Sequence, residues 1–258
     1  MDFPANPVQK AGYTLEFADE FEGNKLDTTK WLPQMLPHWS TPEVASARFR
    51  VTNGQLELRI EADQPRWREN ADRVSNLQTG HHTGQFCWDS TMTISSNPEP
   101  LQFYLPQYGY LETRLKALPV QGYHTAFWLI GYDAPQAGEI RVFEIHGGNI
   151  TPQRSRIDYA ILAWNDPNLQ NQIVEDWLPV NAAEYNIYAI DWTPEYVDFF
   201  VNNKHLRRLE QRLPYRMQLM LGLYERPHEI NPDNPVFPKI AVVDYVRGYR
   251  KNPLDCSL

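Results

Sequence analysis

Short runs of apolar, β-branched and aromatic residues, each closed by turn residues, recur along nearly the whole chain. Almost no stretch carries the 3.6-residue apolar period of a helix. This rhythm restricts the chain to an all-β fold, because strands of this kind must pair with one another and bury at least one face. The clearest unit is 49–52 followed by 55–60 across Asn53-Gly54, a dipeptide that accepts the left-handed backbone of a tight hairpin turn. Further strands are expected over 108–117, 124–130, 139–146, 155–164, 186–193, 196–201, 204–209, 217–224 and 241–249. Pro194-Glu195 and Asn202-Asn203 turn the chain between three of them. Consecutive hairpins predict a β-sandwich of two antiparallel sheets. The segments 64–84, 97–107, 165–179 and 225–238 are polar, rich in Pro and Asn, and long, so they read as ordered loops lining a cleft.

At 258 residues with no internal repeat, the chain is expected to form one domain over 1–258. Aromatics make up 13% of it, including eight Trp and fourteen Tyr, which leaves rings for surfaces as well as for a core. The balance of 24 basic against 32 acidic residues, without a basic block, argues against nucleic acid as a partner. No apolar segment approaches the roughly 20 residues that span a bilayer, so no membrane partner is expected. Residues 1–7 have neither a basic nor an apolar leader region, so the chain as written reads as cytoplasmic, or as secreted if a leader has been removed. Cys87 and Cys256, the only cysteines, leave one disulfide open and suit no metal site. Oligomeric state is not legible.

Chemistry concentrates in Gly138-Glu139-Ile140-Arg141-Val142-Phe143-Glu144-Ile145. In a regular strand Glu139 and Arg141 share a face and Glu144 points away. A β-bulge between Arg141 and Glu144 would bring both carboxylates and the guanidinium to one face, and bulges are common where a strand re-aims a side chain at a site. Two carboxylates on one wall are the equipment of a glycosidase.

Matching segments extend beyond this strand. They include Leu15-Glu16-Phe17-Ala18-Asp19-Glu20-Phe21-Glu22-Gly23, Leu26-Asp27-Thr28-Thr29-Lys30-Trp31, Val51-Thr52-Asn53-Gly54-Gln55-Leu56 and Tyr108-Gly109-Tyr110-Leu111-Glu112-Thr113-Arg114. Others are Thr125-Ala126-Phe127-Trp128-Leu129, Tyr188-Ala189-Ile190-Asp191-Trp192-Thr193-Pro194 and Val243-Asp244-Tyr245-Val246-Arg247. In their order and spacing they resemble glycoside hydrolase family 16, the laminarinase- and lichenase-like retaining endo-glycanases. That resemblance implies a concanavalin A-like β-jelly roll with a concave carbohydrate cleft. It also implies hydrolysis of a β-linked polysaccharide or oligosaccharide without a catalytic cofactor. The family signature E-x-D-x-x-E falls on Glu139, Arg141 and Glu144, which makes Glu139 the nucleophile and Glu144 the acid/base. Arg141 stands where the family has its middle aspartate. A fixed cation there favours ionised carboxylates, so Glu144 is expected to be a weaker acid near neutrality and Glu139 a ready anion. The fork of Arg141 also suits a sulfate or uronate on the substrate.

The resemblance places Trp128 on the floor of the sugar site. Trp39, Trp88, Tyr104, Trp164 and Tyr224 are candidate stacking platforms, with packing inside the sandwich an equal reading for each. His146, two residues after Glu144, is placed to modulate it, or else is a satisfied strand-end histidine. Many family members carry a histidine on the next strand, and in this chain its substrate contact is expected to be either lost or replaced by Asp158 or Tyr159. His81-His82 reads as solvated loop histidines. Asp244, with backbone carbonyls near Glu20 and Gly54, matches a structural calcium site of the family, the alternative being local pairing. Two further functions compete on the same scaffold: a non-catalytic carbohydrate-binding protein disabled by Arg141, and a polysaccharide lyase.

Overall fold

The computed structural model describes residues 1–69, 71–85, 92–133, 137–230 and 236–253. Cys87, Trp88 and Cys256 lie outside them. Among the described residues sixteen strands follow one another: β1 (Tyr13–Asp19), β2 (Arg48–Thr52), β3 (Gln55–Ile60), β4 (Val74–Gln78), β5 (Gly80–His81), β6 (Leu101–Gln102), β7 (Gly109–Lys116), β8 (Tyr123–Gly131), β9 (Glu139–His146), β10 (Ser155–Leu162), β11 (Gln172–Leu178), β12 (Asn186–Trp192), β13 (Val197–Val201), β14 (Lys204–Leu209), β15 (Met217–Glu225) and β16 (Lys239–Lys251). The expected hairpins form. Asn53 and Gly54 both take positive φ between β2 and β3, as do Asn202 and Asn203 between β13 and β14.

The strands build an eight-stranded sheet ordered β14-β13-β12-β7-β16-β3-β2, with β1 on β16, and a six-stranded sheet ordered β11-β10-β9-β8-β15-β4. Every pairing described within them is antiparallel. One continuous apolar core lies between the sheets. Leu58, Leu111, Tyr188, Phe199 and Val243 from the larger sheet meet Phe127, Phe143, Ile161, Leu219 and Leu223 from the smaller. This is the concanavalin-like jelly roll that the strand rhythm and the resemblance imply.

Three of the segments expected as loops contain strands, 97–107 only the two-residue β6. β4 reads as polar because Ser75, Asn76 and Gln78 lie in it, yet all five of its residues are buried. Their polar groups find internal partners, such as Leu36 N–H on Gln78 Oε1 at 3.0 Å. β11 is an edge strand whose exposure alternates residue by residue, with Val174 and Leu178 packing on the core. The histidines expected in a solvated loop are also more enclosed. His81 is fully buried in β5, and His82 Nε2 contacts the Tyr132 carbonyl at 2.9 Å.

A second apolar layer covers part of the opposite face of the six-stranded sheet. In it Met35, Trp39, Trp67 and Val74 pack with Ala126, Trp128, Met220 and Tyr224. The candidate site opens beside this layer.

Candidate active site

β9 carries the expected bulge. Phe127 of β8 pairs with Phe143 while Trp128 pairs with Arg141, and Asp158 of β10 pairs with Glu144 while Ala160 pairs with Arg141. The extra residue lets Val142 and Phe143 both enter the core, together with Ile140 and Ile145. Burying each such side chain contributes about 1.5–3 kcal/mol. Glu139, Arg141, Glu144 and His146 are thereby left together on the outer face.

A pocket of about 310 Å³ opens over these residues, lined by Met35, His124, Trp128, Trp164, Tyr224 and Arg226 among others. Arg141 bridges the carboxylates: its Nε donates to Glu139 Oε1 at 3.3 Å and its Nη1 lies 3.1 Å from Glu144 Oε2. Trp164 Nε1 donates to the other Glu139 oxygen at 2.8 Å. Its backbone is held at φ 42°, a region that a bulky residue enters only when its surroundings impose it. On the far side, His146 Nε2 lies 2.9 Å from Glu144 Oε1, and Arg226 Nη1 and His124 Nε2 approach the same oxygen at 3.7 and 4.0 Å.

The two glutamates titrate in opposite directions. Burial pushes the Glu139 carboxyl up, and Arg141 and the Trp164 hydrogen bond only partly pull it back. Burial also pushes Glu144 up, but the surrounding His124, His146 and Arg141 outweigh it and hold Glu144 well below the usual carboxylate range. Because burial pushes His124 down to about 4, the cations that persist beside Glu144 near neutrality include Arg141 and Arg226. The expected effect of Arg141 is therefore realised at Glu144, whereas at Glu139 desolvation wins.

The remaining candidates divide by strand phase. Trp128 lines the pocket, and its Nε1 donates to Tyr224 Oη at 2.8 Å, which in turn donates to Asn76 Oδ1 at 2.8 Å. Asp158 is buried on the cleft side next to Glu144 and is held by Arg156 Nε and Nη2, each at 2.9 Å. It lines an adjoining trough of about 670 Å³ with His146, Arg156, Ile173, Glu175 and Glu229. Tyr159 is a correction. Being one residue on, it points into the core and donates to Asp176 Oδ2 at 2.5 Å, because alternation sends it away from the cleft. Trp39 is a second correction: its ring packs in the outer apolar layer, its Nε1 donates to the Gln85 carbonyl at 3.0 Å, and it borders a separate pocket. Tyr104 stacks on Phe17 at 4.7 Å, packed against the core.

The calcium expectation does not fit the residues present. Its one side-chain ligand is already engaged, since Asp244 Oδ2 is occupied by Arg114 Nη1 at 2.6 Å. A divalent cation on Asp244 would face that guanidinium. Among the described residues no three His, Cys, Asp or Glu side chains group as metal ligands.

Sequence reading missed His124 and Arg226. His124 was legible in principle, since it sits in phase with Ala126 and Trp128 on the cleft face of β8. Arg226 lies in a segment read as a cleft-lining loop, but only the fold brings it to Glu144.

Residues 67–231 match the model of glycosyl hydrolases family 16. The chain is 24% identical over 266 residues to a β-glucanase of Rhodothermus marinus, covering 92% of this chain and 85% of that protein. Among solved structures it resembles the GlcNAcα1-4Gal-releasing endo-β-galactosidase of Clostridium perfringens, with 33% identity and a TM-score of 0.87. That alignment covers 97% of this chain and 66% of the other. It shares its fold with the catalytic domain of an endo-1,3-β-glucanase (laminarinase) of Thermotoga petrophila, at 17% identity and a TM-score of 0.69, over 93% of this chain and 99% of that one. With the family model spanning more than half of the chain, and the fold and paired carboxylates in agreement, this protein belongs to glycosyl hydrolases family 16.

Proposed function

We propose that this protein is a retaining glycoside hydrolase in which Glu139 is the nucleophile and Glu144 the acid/base, carried on one domain. The observation that carries this reading is the bulge that puts both carboxylates on one wall within reach of a single guanidinium. A fork of that size suits the separation of about 5–5.5 Å used by retaining enzymes better than the roughly 6.5–9.5 Å of inverting ones. Glu139 attacks the anomeric carbon as Glu144 protonates the leaving oxygen. Glu144 then activates the water that releases the glycosyl-enzyme. No cofactor is needed for this chemistry.

Arg141 has a place in this cycle. Carboxylate charge redistributes through the cycle, and once Glu139 is an ester it rests on Glu144 alone of the two. The guanidinium touches both and neutralises that charge wherever it resides. The likeness to an endo-β-galactosidase supports a galactose-containing, β-linked oligosaccharide as substrate, ahead of a plain β-glucan.

The test is hydrolysis of a panel of β-galactosyl and β-glucosyl oligosaccharides, with the anomer released first read by proton NMR. The β-anomer is expected, and Glu139→Ala and Glu144→Ala should each abolish release. Hydrolysis that survives both substitutions overturns the assignment. Sugar binding by the wild type without turnover would mark a binding protein, and ultraviolet-absorbing unsaturated products a lyase.

A further inference from the structure

We infer that His146 holds the leaving-group proton between turnovers and passes it to Glu144, so that the acid of the reaction is the Glu144–His146 pair. His146 acts through Glu144 and is therefore a positioning residue. The inference rests on the double displacement proposed above.

Its placement is built by three strands. Tyr224 of β15 pairs with His124 of β8, and His124 with His146 of β9. The rings of Tyr224 and His124 stack at 4.7 Å and 10°, and those of His124 and His146 at 5.3 Å and 24°. Tyr224 is itself fixed by Trp128 and Asn76, so the column sets the plane of the last imidazole. The result is His146 Nε2 at 2.9 Å from Glu144 Oε1, with Asp158 Oδ2 3.9 Å from the same nitrogen and Glu229 Oε2 3.9 Å from Nδ1.

The side chains that approach the nitrogens of this ring are acids. The connected cluster contains five carboxylates, on Glu139, Glu144, Asp158, Glu175 and Glu229. Three guanidiniums face them, on Arg141, Arg156 and Arg226, each already engaged with carboxylates of the cluster. The neighbouring His124 is kept neutral by burial. Glu144 thus faces the guanidiniums of Arg141 and Arg226, while the ring of His146 faces Glu144, Asp158 and Glu229. The proton that an ordinary acid carries on its own carboxyl group waits one hydrogen bond away.

The steps balance. As the bond from the anomeric carbon to the leaving oxygen breaks and the bond to Glu139 forms, the leaving oxygen takes a proton from Glu144, which takes one from His146 Nε2. Glu144 is then a carboxylate and His146 neutral. Water attacks the anomeric carbon, the bond to Glu139 breaks, and the proton lost by water passes through Glu144 back to His146.

Two experiments test this. Imidazole ¹⁵N NMR on the ligand-free protein follows His146 in the wild type and in Glu144→Gln, and its titration midpoint should fall by about one unit or more when Glu144 loses its charge. An unmoved midpoint overturns the inference without any substrate. Kinetics of His146→Gln should lose roughly 10²-fold or more in kcat/KM on a natural oligosaccharide. The loss should shrink to a few-fold on the 2,4-dinitrophenyl glycoside of the same glycone, whose departure needs no acid, and the alkaline limb of the pH profile should move. Equal losses on both substrates, with an unchanged profile, mean a purely structural histidine and also overturn it. A 2-fluoro glycosyl-enzyme trapped on Glu139 separates the two levels. If it forms, a failure at His146 refutes this inference alone. If it does not form, the double displacement itself has failed.

Discussion

Arg141 in the cleft and Arg247 on the far sheet each clamp carboxylates, and their surroundings set them apart. Arg247, on β16, donates twice to Glu20 at 2.7 and 2.8 Å and once to the Asn6 carbonyl at 2.8 Å, with its Nη1 also 3.4 Å from Glu112. Its side chain is 4% exposed and its plane lies 3.6 Å from the centre of the Tyr245 ring. The cluster joins β16, β7 and the N-terminal segment. Arg141 is 21% exposed above an open pocket, and its carboxylate partners retain faces turned toward it. The same ion-pair chemistry is closed off where the fold covers it and stays accessible where a cleft leaves room beside it.

Substitutions can break this contrast, beginning with the largest effect. Glu139→Ala should lower hydrolysis by at least ~10³-fold while Tm, followed by calorimetry, hardly falls, because the change relieves a desolvated carboxylate. Arg247→Met should do the reverse. Leaving Glu112 buried and short of a cation is expected to cost roughly 3–5 kcal/mol, read as a large drop in Tm, with kcat/KM per folded molecule within about two-fold of wild type.

Arg141→Asp sharpens the comparison through pH. The guanidinium holds Glu144 low, so replacing it with an anion raises that pKa. Because the acid works only in its protonated form, the alkaline limb of the kcat profile should move to higher pH. A limb that moves downward would contradict the electrostatics described. Trp164→Phe should act on the other carboxylate, where loss of the Nε1 hydrogen bond raises Glu139 further. The acidic limb then also moves up, with kcat/KM lower by roughly ten-fold at mildly acidic pH, as a charge-assisted hydrogen bond of about 1.5–3 kcal/mol implies. The smallest effect concerns Asp244. Chelation by EDTA should leave Tm unchanged, because Arg114 already pairs with that carboxylate, and a fall of several degrees would show that a metal holds the sheet.

Much of the site was legible in the strand that carries it. Val142-Phe143 places two adjacent apolar residues between Arg141 and Glu144, and a bulge lets both enter the core while both charges face out. Tyr159 shows how narrow such reading is, since the same alternation that brings Asp158 to the cleft removes its neighbour from it. β4 was hidden for a different reason. Its Ser75, Asn76 and Gln78 are buried because hydrogen bonds satisfy them, and those partners, such as Leu36 for Gln78 and Tyr224 for Asn76, come from distant parts of the chain.

The all-β architecture, its hairpin turns, the bulge and the placement of Glu139 and Glu144 on one face follow from side-chain periodicity and turn preference within a few residues. Which groups govern those carboxylates depends on how distant strands pack. Tyr224, His124 and His146 stack, and Arg226 reaches Glu144, because the sheet order sets β15, β8 and β9 side by side. Separation along the chain carries no record of that adjacency, and the electrostatics of Glu144 depend on it because charges act over a few ångströms of space.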